Sequence, residues 1–269
     1  MRTPCAVIAL LTDFGMRDHY AGAMKGVALG ICPDATLVDI SHDVPPHDVV
    51  AGALELVACY RYFPSGTVFL VVVDPGVGST RRGIAGETGE YKFVGPDNGV
   101  LGLVFDETPP KRVVELTERR YARPTVSRTF EGRDRFAPAA AWLAKGVELS
   151  ALGRPAGPLH RLELPRPRVE PDAIVGEVLR VDRFGNLVTN IDRKTFEKLG
   201  GIEHAPALEI RVGPHEVSKV VSTYADAPPG EICALFGSTD HLEIAANGAS
   251  AAGRLDLGRG AAVHVARRA

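Results

Sequence analysis

The sequence predicts an α/β protein, with an N-terminal open, mostly parallel sheet carrying helices on both faces and a smaller C-terminal all-β barrel or sandwich. Three observations predict it. The first half alternates apolar, strand-like runs with segments of helical period; the stretch from Gly153 to Asp172 concentrates proline; and beyond it come short strand-like runs separated by turn residues. The expected divisions are an α/β domain over 1–152, a linker over 153–172 and a β domain over 173–269.

Each element has its own local reason. Ala6 to Leu11 is continuously apolar, which suits a strand buried on both faces. Tyr20, Met24, Val27 and Ile31 recur at helical spacing until Pro33 stops the ladder. Thr36 to Ile40 reads as the next strand. Asp48 is placed to cap a helix carrying Val50, Leu54, Val57 and Arg61 on one face, ended by Pro64. Thr67 to Val73 is dominated by β-branched and aromatic residues and marks a central strand. Tyr91 to Val94 and Val113 to Leu116 are weaker strands, and Asp134 to Ala144 reads as a helix with Pro138 in its first turn. After the linker, strands are expected at 176–181, 187–191, 207–212, 216–221, 232–236, 241–244 and 261–265.

Composition narrows the class of ligand. The chain has 269 residues, and 31 Lys plus Arg against 33 Asp plus Glu leave a formal charge of −2, so no whole-chain field draws it to nucleic acid or an anionic membrane. A small molecule is the expected partner. No apolar run has membrane-spanning length. Cys5, Cys32, Cys59 and Cys233 are widely separated with no C-x-x-C pair, which indicates buried thiols in a reducing compartment rather than a disulfide framework or a thiolate metal site. The apolar run near the start is short and ends at Asp13 without a cleavage signature, so a cytoplasmic location is expected.

In open α/β sheets ligands bind beyond the carboxyl ends of the strands. The loops after the two best strands both begin with aspartate, Asp13 and Asp74, and neighbouring strands would put both carboxylates on one rim. Each alone is also an ordinary turn residue. Seven positions after Asp74, in DPGVGSTRRG, Arg81 can return a charge-assisted pair. The glycines of that loop do not open a helical period, and G-x-G-x-x-G and Walker patterns are absent, which argues against a dinucleotide site. Asp13, Asp18, His19, His42, Asp43, His47 and Asp48 crowd the early loops, but no pair has the spacing of a metal motif, and no metal is expected. In TFEGRDRFAP, Glu131, Arg133 and Asp134 stand at a helix entrance, either as a capping region with Arg133 solvated or as part of a site. In VDRFGNLVTN, Asp182, Phe184, Gly185 and Asn186 make either plain hairpin chemistry or an aromatic face and an amide for an adenine.

Together LLTDFG, VVDPGVGSTRR, GPDNG, TFEGRD, RFGNLVTNI, STYADAPPGE and HLEIAANGASAA run in an order that resembles the adenosine-forming S-adenosylmethionine hydrolases, also called S-adenosylmethionine hydroxide adenosyltransferases, relatives of the fluorinase and chlorinase. The resemblance spans nearly the whole chain. It implies a homotrimer with sites between the N-terminal domain of one subunit and the C-terminal domain of the next, and attack of water or hydroxide at the ribose 5′ carbon with methionine leaving and no cofactor. It assigns the nucleophile to Asp74, Arg81 and the position of Glu131, where the family has histidine in TFHGRD. A carboxylate there adds a negative charge beside Asp74, which Arg81 can offset. The alternative is a non-catalytic S-adenosylmethionine or adenosine binder in which Glu131 has abolished turnover. The resemblance further assigns Asp13 to the ribose hydroxyls and His47 to the sugar, where the fluorinase has a tryptophan. Phe184, Asn186, Tyr224, Asn247 and the backbone of Gly248 correspond to adenine contacts. Asp18, Asp182 and Ser238 correspond to contacts with the methionine amino and carboxyl groups, with Thr239 where the fluorinase has an arginine. Halogenases resemble the chain less well, since they carry tyrosine at the position of Asp74.

Overall fold

A continuous apolar run becomes a central strand only when both faces of its sheet are covered. The computed structural model, which describes residues 6–200 and 208–267, shows this directly. Its first sheet has six strands, β1 (Val7–Thr12), β2 (Thr36–Ser41), β3 (Val68–Val72), β4 (Gly83–Thr88), β5 (Tyr91–Pro96) and β6 (Arg112–Glu115), in the order β2-β1-β3-β5-β4-β6. Ile8 and Leu10 of β1 and Val68, Leu70 and Val72 of β3 enter one core with Met24 and Ala140, whereas Ala9, Leu11, Phe69 and Val71 enter the opposite one with Leu56 and Val104. The covering helices are α1 (Tyr20–Ile31), α2 (Val49–Cys59), α3 (Gly102–Glu107) and α4 (Ala137–Ala144). The first core holds residues of α1 and α4, the second those of α2 and α3.

β1 pairs in parallel with β2 and β3, and β3 with β5, while β4 runs antiparallel between β5 and β6. Sequence reading does not find β4, because GIAGET lacks the bulky residues that mark a strand. Its glycines make room instead: a Cβ on Gly83 would lie 2.6 Å from the Phe136 ring, and one on Gly86 2.7 Å from Phe105. Asp48 does cap α2, accepting the Ala51 N–H at 2.9 Å. The expected helix at Asp134 begins differently, as a π-helical turn over Gly132–Phe136 that passes into α4.

Residues up to Glu163 form one compact unit and those from Leu164 a second. Within the proline-rich stretch, the Ala156 N–H donates to Val113 O at 2.9 Å and the His160 N–H to Asp97 Oδ1 at 2.9 Å, so that its first part is tied to the first unit. The second unit contains β7 (Arg168–Val169), β8 (Ala173–Val181), β9 (Leu187–Asp192), β10 (Leu208–Val212), β11 (His215–Val217), β12 (Ile232–Phe236), β13 (His241–Ala246) and β14 (Ala262–Arg267), with short helices α5 (Arg193–Phe196) and α6 (Ala251–Leu255). All its strand pairs are antiparallel, in the order β11-β10-β14-β8-β9-β13-β12 with β7 on β8. After β11 the chain returns to the far edge, where Val220 bridges Ala234 of β12, so the sheet is nearly closed into a barrel. The strand expected over 216–221 is therefore shorter, at His215–Val217. Ile174, Val178, Leu187, Ile210 and Val265 fill the interior.

Cys32 and Cys233 are buried, and burial, aided by the Glu55 charge, pushes the Cys59 thiol up to about 11. Cys5 and Ala207 lie outside the described residues. Among the described residues no helix is long and apolar enough to cross a membrane.

Candidate active site

Because β1 and β3 are parallel neighbours with Thr12 opposite Val72, the residues that follow them leave the sheet side by side. Asp13 and Asp74 accordingly line one cavity of about 310 Å³, with Tyr20, His47, Phe130 and Glu131 among its other walls. The loop after β1 is pinned to the loop after β2. Gly15 N–H donates to His42 O at 2.7 Å, Thr12 Oγ1 and His42 Nδ1 are 2.8 Å apart, and His42 Nε2 meets Asp39 Oδ1 at 3.0 Å. Asp13 Oδ2 accepts the backbone N–H of His47 at 2.8 Å, holding that residue at a positive φ of 69°. Asn98, from the GPDNG motif, braces the end of β3 by donating to Val73 O at 2.8 Å.

Asp74 and Arg81 form the expected pair. Arg81 Nε donates to Asp74 Oδ1 at 2.8 Å and Nη2 to Asp74 Oδ2, a bidentate arrangement that fixes both side chains. Nη2 also meets Glu131 Oε2 at 2.8 Å, and the three side chains are 5, 9 and 11 % exposed for Asp74, Arg81 and Glu131. The guanidinium lies over the Phe136 ring, 5.2 Å from its centroid, and its Nη1 is buried without a hydrogen-bond acceptor. Burial pushes the Asp74 carboxyl above its usual range; bonds and charge from Arg81 oppose this, and the Glu131 charge reinforces it.

Arg133 keeps solvent contact, its side chain being 31 % exposed, but it is also held in place: Nε donates to Asp134 Oδ1 at 2.7 Å and the guanidinium lies over the Phe130 ring at 4.9 Å. Asp134 is fully buried and accepts the Ser127 N–H at 2.8 Å; burial works to raise its pKa, but these bonds and the arginine charge hold it lowered. Asp134 thus ties down the strand of chain leading to Glu131. Asp18 is exposed in the loop before α1 and does not line the cavity. Among the described residues no group of three or more His, Cys, Asp or Glu side chains is placed to hold a metal ion.

In the second unit the residues selected from sequence gather at the β8–β9 turn and beside β13. Asp182 Oδ1 accepts the N–H groups of Phe184 at 2.9 Å and Asn186 at 2.8 Å, and Oδ2 accepts Asn186 Nδ2 at 2.9 Å. Gly185 sits at φ 84°, and a Cβ there would collide with Ser250. Phe184 is 77 % exposed, which leaves its ring face open. Asn247 Nδ2 donates to Ala227 O at 2.7 Å, and Gly248 and Ser238 are exposed. The Thr239 hydroxyl is buried without a partner.

Three features escape sequence reasoning. Glu243, buried on β13, accepts the Tyr224 hydroxyl at 3.0 Å. Burial and the Asp182 charge push the Glu243 carboxyl up while the Tyr224 bond opposes them, and burial with the Glu243 charge pushes Tyr224 up to about 12. Its signal, an acidic residue in an otherwise apolar strand, is visible in HLEIAA. Tyr20, read from sequence only as one of a set at helical spacing, is 40 % exposed and joins Phe14 and Phe130 in an aromatic wall with ring centroids 5.1 to 6.0 Å apart. Arg135, placed only within a helix by sequence, reaches Glu131 Oε2 through Nη1 at 3.2 Å.

Comparison with known proteins adds independent findings. Residues 8–153 match the model of the SAM hydroxide adenosyltransferase N-terminal domain, and residues 176–264 that of the C-terminal domain. A relative from Salinispora tropica named (R)-S-adenosyl-L-methionine hydrolase is 38% identical over 263 residues, covering 94% of this chain and 95% of its own. A fluorinase from Nocardia brasiliensis is 32% identical over 96% of each chain. The solved structure of a conserved protein from Thermotoga maritima superposes with a TM-score of 0.91 at 38% identity, covering 97% of this chain and all of that one.

Proposed function

The chain belongs to the SAM hydroxide adenosyltransferase family, and from that premise we propose how its residues carry out the reaction. It is an enzyme that hydrolyses S-adenosyl-L-methionine to adenosine and L-methionine. Since the hydrolase relatives are named for the (R) form, that form is our proposed substrate. The observation that carries the residue assignment is the buried cluster of Asp74, Arg81 and Glu131 bordering the same cavity as Asp13.

In our reading Asp74 and Glu131 accept hydrogen bonds from one water and aim its lone pair at the ribose 5′ carbon, opposite the sulfonium. The O–C5′ bond forms as the C5′–S bond breaks, the bonding pair leaves on sulfur as a neutral thioether, and the water proton passes to Asp74 and then to solvent. Little covalent assistance is needed, so positioning supplies most of the rate. Arg81 restrains both carboxylates before substrate arrives, which spares their reorganisation during the reaction. Two carboxylates also favour water over halide, because they accept O–H groups and a halide has none to donate. Asp13 takes the ribose diol and His47 faces the sugar. Phe184, Asn186, Tyr224, Asn247 and Gly248 take the adenine, and Asp18, Asp182 and Ser238 take the methionine end. The reading calls for no cofactor.

Two further parts of the reading concern assembly and place. We propose a homotrimer in which the N-terminal unit of one subunit and the C-terminal unit of its neighbour complete each site; a fully active monomer in sedimentation would overturn it. We also propose a cytoplasmic enzyme, in keeping with cysteines that are widely spaced along the sequence with no C-x-x-C pair.

The chemistry is tested by incubating the protein with each form of S-adenosylmethionine in oxygen-18 water and analysing both products by mass spectrometry. One label in the 5′ hydroxyl of adenosine is expected from the (R) form. A chain that only stores its ligand releases no adenosine, and that result would refute the reading.

A further inference from the structure

Resting on that reading of Glu131, we propose that Arg135 is a positioning residue for the reaction, holding and neutralising Glu131 so that a second carboxylate can serve beside Asp74. The geometry is specific. Arg135 Nη1 meets Glu131 Oε2 at 3.2 Å, the same oxygen that Arg81 Nη2 meets at 2.8 Å. Both guanidinium groups therefore gather on Oε2, and Oε1 takes no hydrogen bond from the described residues, leaving it as the acceptor for the nucleophile. The other arm of Arg135 is anchored, Nη2 donating to Leu116 O at 2.8 Å just past β6. Glu131 lines the cavity and Arg135 does not, so Arg135 acts through Glu131 rather than on substrate.

Charge balance gives the reason for the second arginine. Asp74 and Glu131 with Arg81 alone carry a net charge of about −1, whereas a neutral histidine at position 131 would leave that set near zero. Arg135 returns the Glu131 set to zero. An uncompensated negative charge attracts the sulfonium most strongly in the ground state, because that positive charge disappears as the C–S bond breaks. Attraction of that kind tightens substrate binding without lowering the barrier. Glu131 precedes the π-helical turn and Arg135 lies within it, and their side chains, four positions apart, share one face and meet.

The test measures kcat and KM for adenosine release in Arg135→Gln, which keeps a donor for the Leu116 carbonyl but loses the charge, and in Arg135→Lys, which restores the charge. Both are made in the parent and in a Glu131→His background, with Glu131→Gln alone as reference and thermal melting for every variant. We expect Arg135→Gln to lower kcat about tenfold with KM unchanged or lower, a coupling in the range of residues sharing one ion-pair network. Arg135→Lys should recover most of that loss, and in the Glu131→His background Arg135→Gln should have little effect. An equal loss in both backgrounds makes Arg135 merely structural and overturns the proposal. So does an unchanged kcat in Arg135→Gln when Glu131→Gln is impaired, a result that leaves the reading of Glu131 standing. An unchanged kcat in Glu131→Gln instead removes that reading, and this proposal with it.

Discussion

Asp74→Asn removes one charge at nearly constant shape from the most buried carboxylate of the cluster, whose side chain is 5 % exposed. In the parent both Asp74 oxygens accept from Arg81, through Nε at 2.8 Å and through Nη2. The amide can accept through one atom only and sets an N–H group against the guanidinium on the other side. The nucleophilic water loses its charged acceptor and the first destination of its proton, a change of about 10²–10⁴ in kcat for this kind of group. That corresponds to about 3–5 kcal/mol on the barrier. KM should change little, because Asp74 addresses the water rather than the adenosyl group. Stability should move the other way. With the folded pKa raised by burial, the contribution of Asp74 to stability is fully present below its unfolded value and lost as pH rises through the folded one. At neutral pH the parent bears the cost of ionisation and the amide does not, so Asp74→Asn should melt no lower than the parent. The proposed mechanism uses the ionised form, so the acid limb of the parent kcat profile should lie above the ordinary aspartate range. Steady-state adenosine release across acid to neutral pH, with melting curves, measures all three quantities. An unchanged kcat, or a loss confined to KM, would refute the reasoning.

Other substitutions probe separate parts of the molecule. Asp13→Ala should weaken adenosine binding by about 1.5–3 kcal/mol as charge-assisted bonds to the diol are lost, and calorimetry giving an unchanged dissociation constant would remove Asp13 from the site. Asp182→Ala deletes three hydrogen bonds of the β8–β9 turn, each contributing about 0.5–1.5 kcal/mol; both the melting temperature and adenosine affinity should fall, and a loss of neither would show the turn to be held by other contacts. Gly86→Ala places a Cβ 2.7 Å from the Phe105 ring, so denaturant unfolding should show a loss of about 1–3 kcal/mol for overpacking. A variant as stable as the parent would mean that the ring shifts freely.

What the sequence determines by itself is whatever depends on neighbours along the chain. The unbroken apolar runs of β1 and β3 require cover on both faces, Asp48 caps the helix it precedes, and the loop from Asp74 to Arg81 is short enough for the pair to close. The family motifs add the positions of Glu131 and of the turn from Asp182 to Asn186. Only the tertiary structure decides what meets across the chain. β4 is a strand because the Phe105 and Phe136 rings lie where its glycines have no side chains, a relation invisible in GIAGET. Asp13 and Asp74 share a cavity because β1 and β3 pair in parallel and in register. Tyr20 turns toward that cavity, Glu243 finds Tyr224 from 19 positions away, and Arg135 joins Arg81 on a single oxygen of Glu131. Periodicity reports which faces avoid water, whereas the partner of a charge depends on through-space distance and burial, and those exist only once the sheet has brought distant loops to one rim.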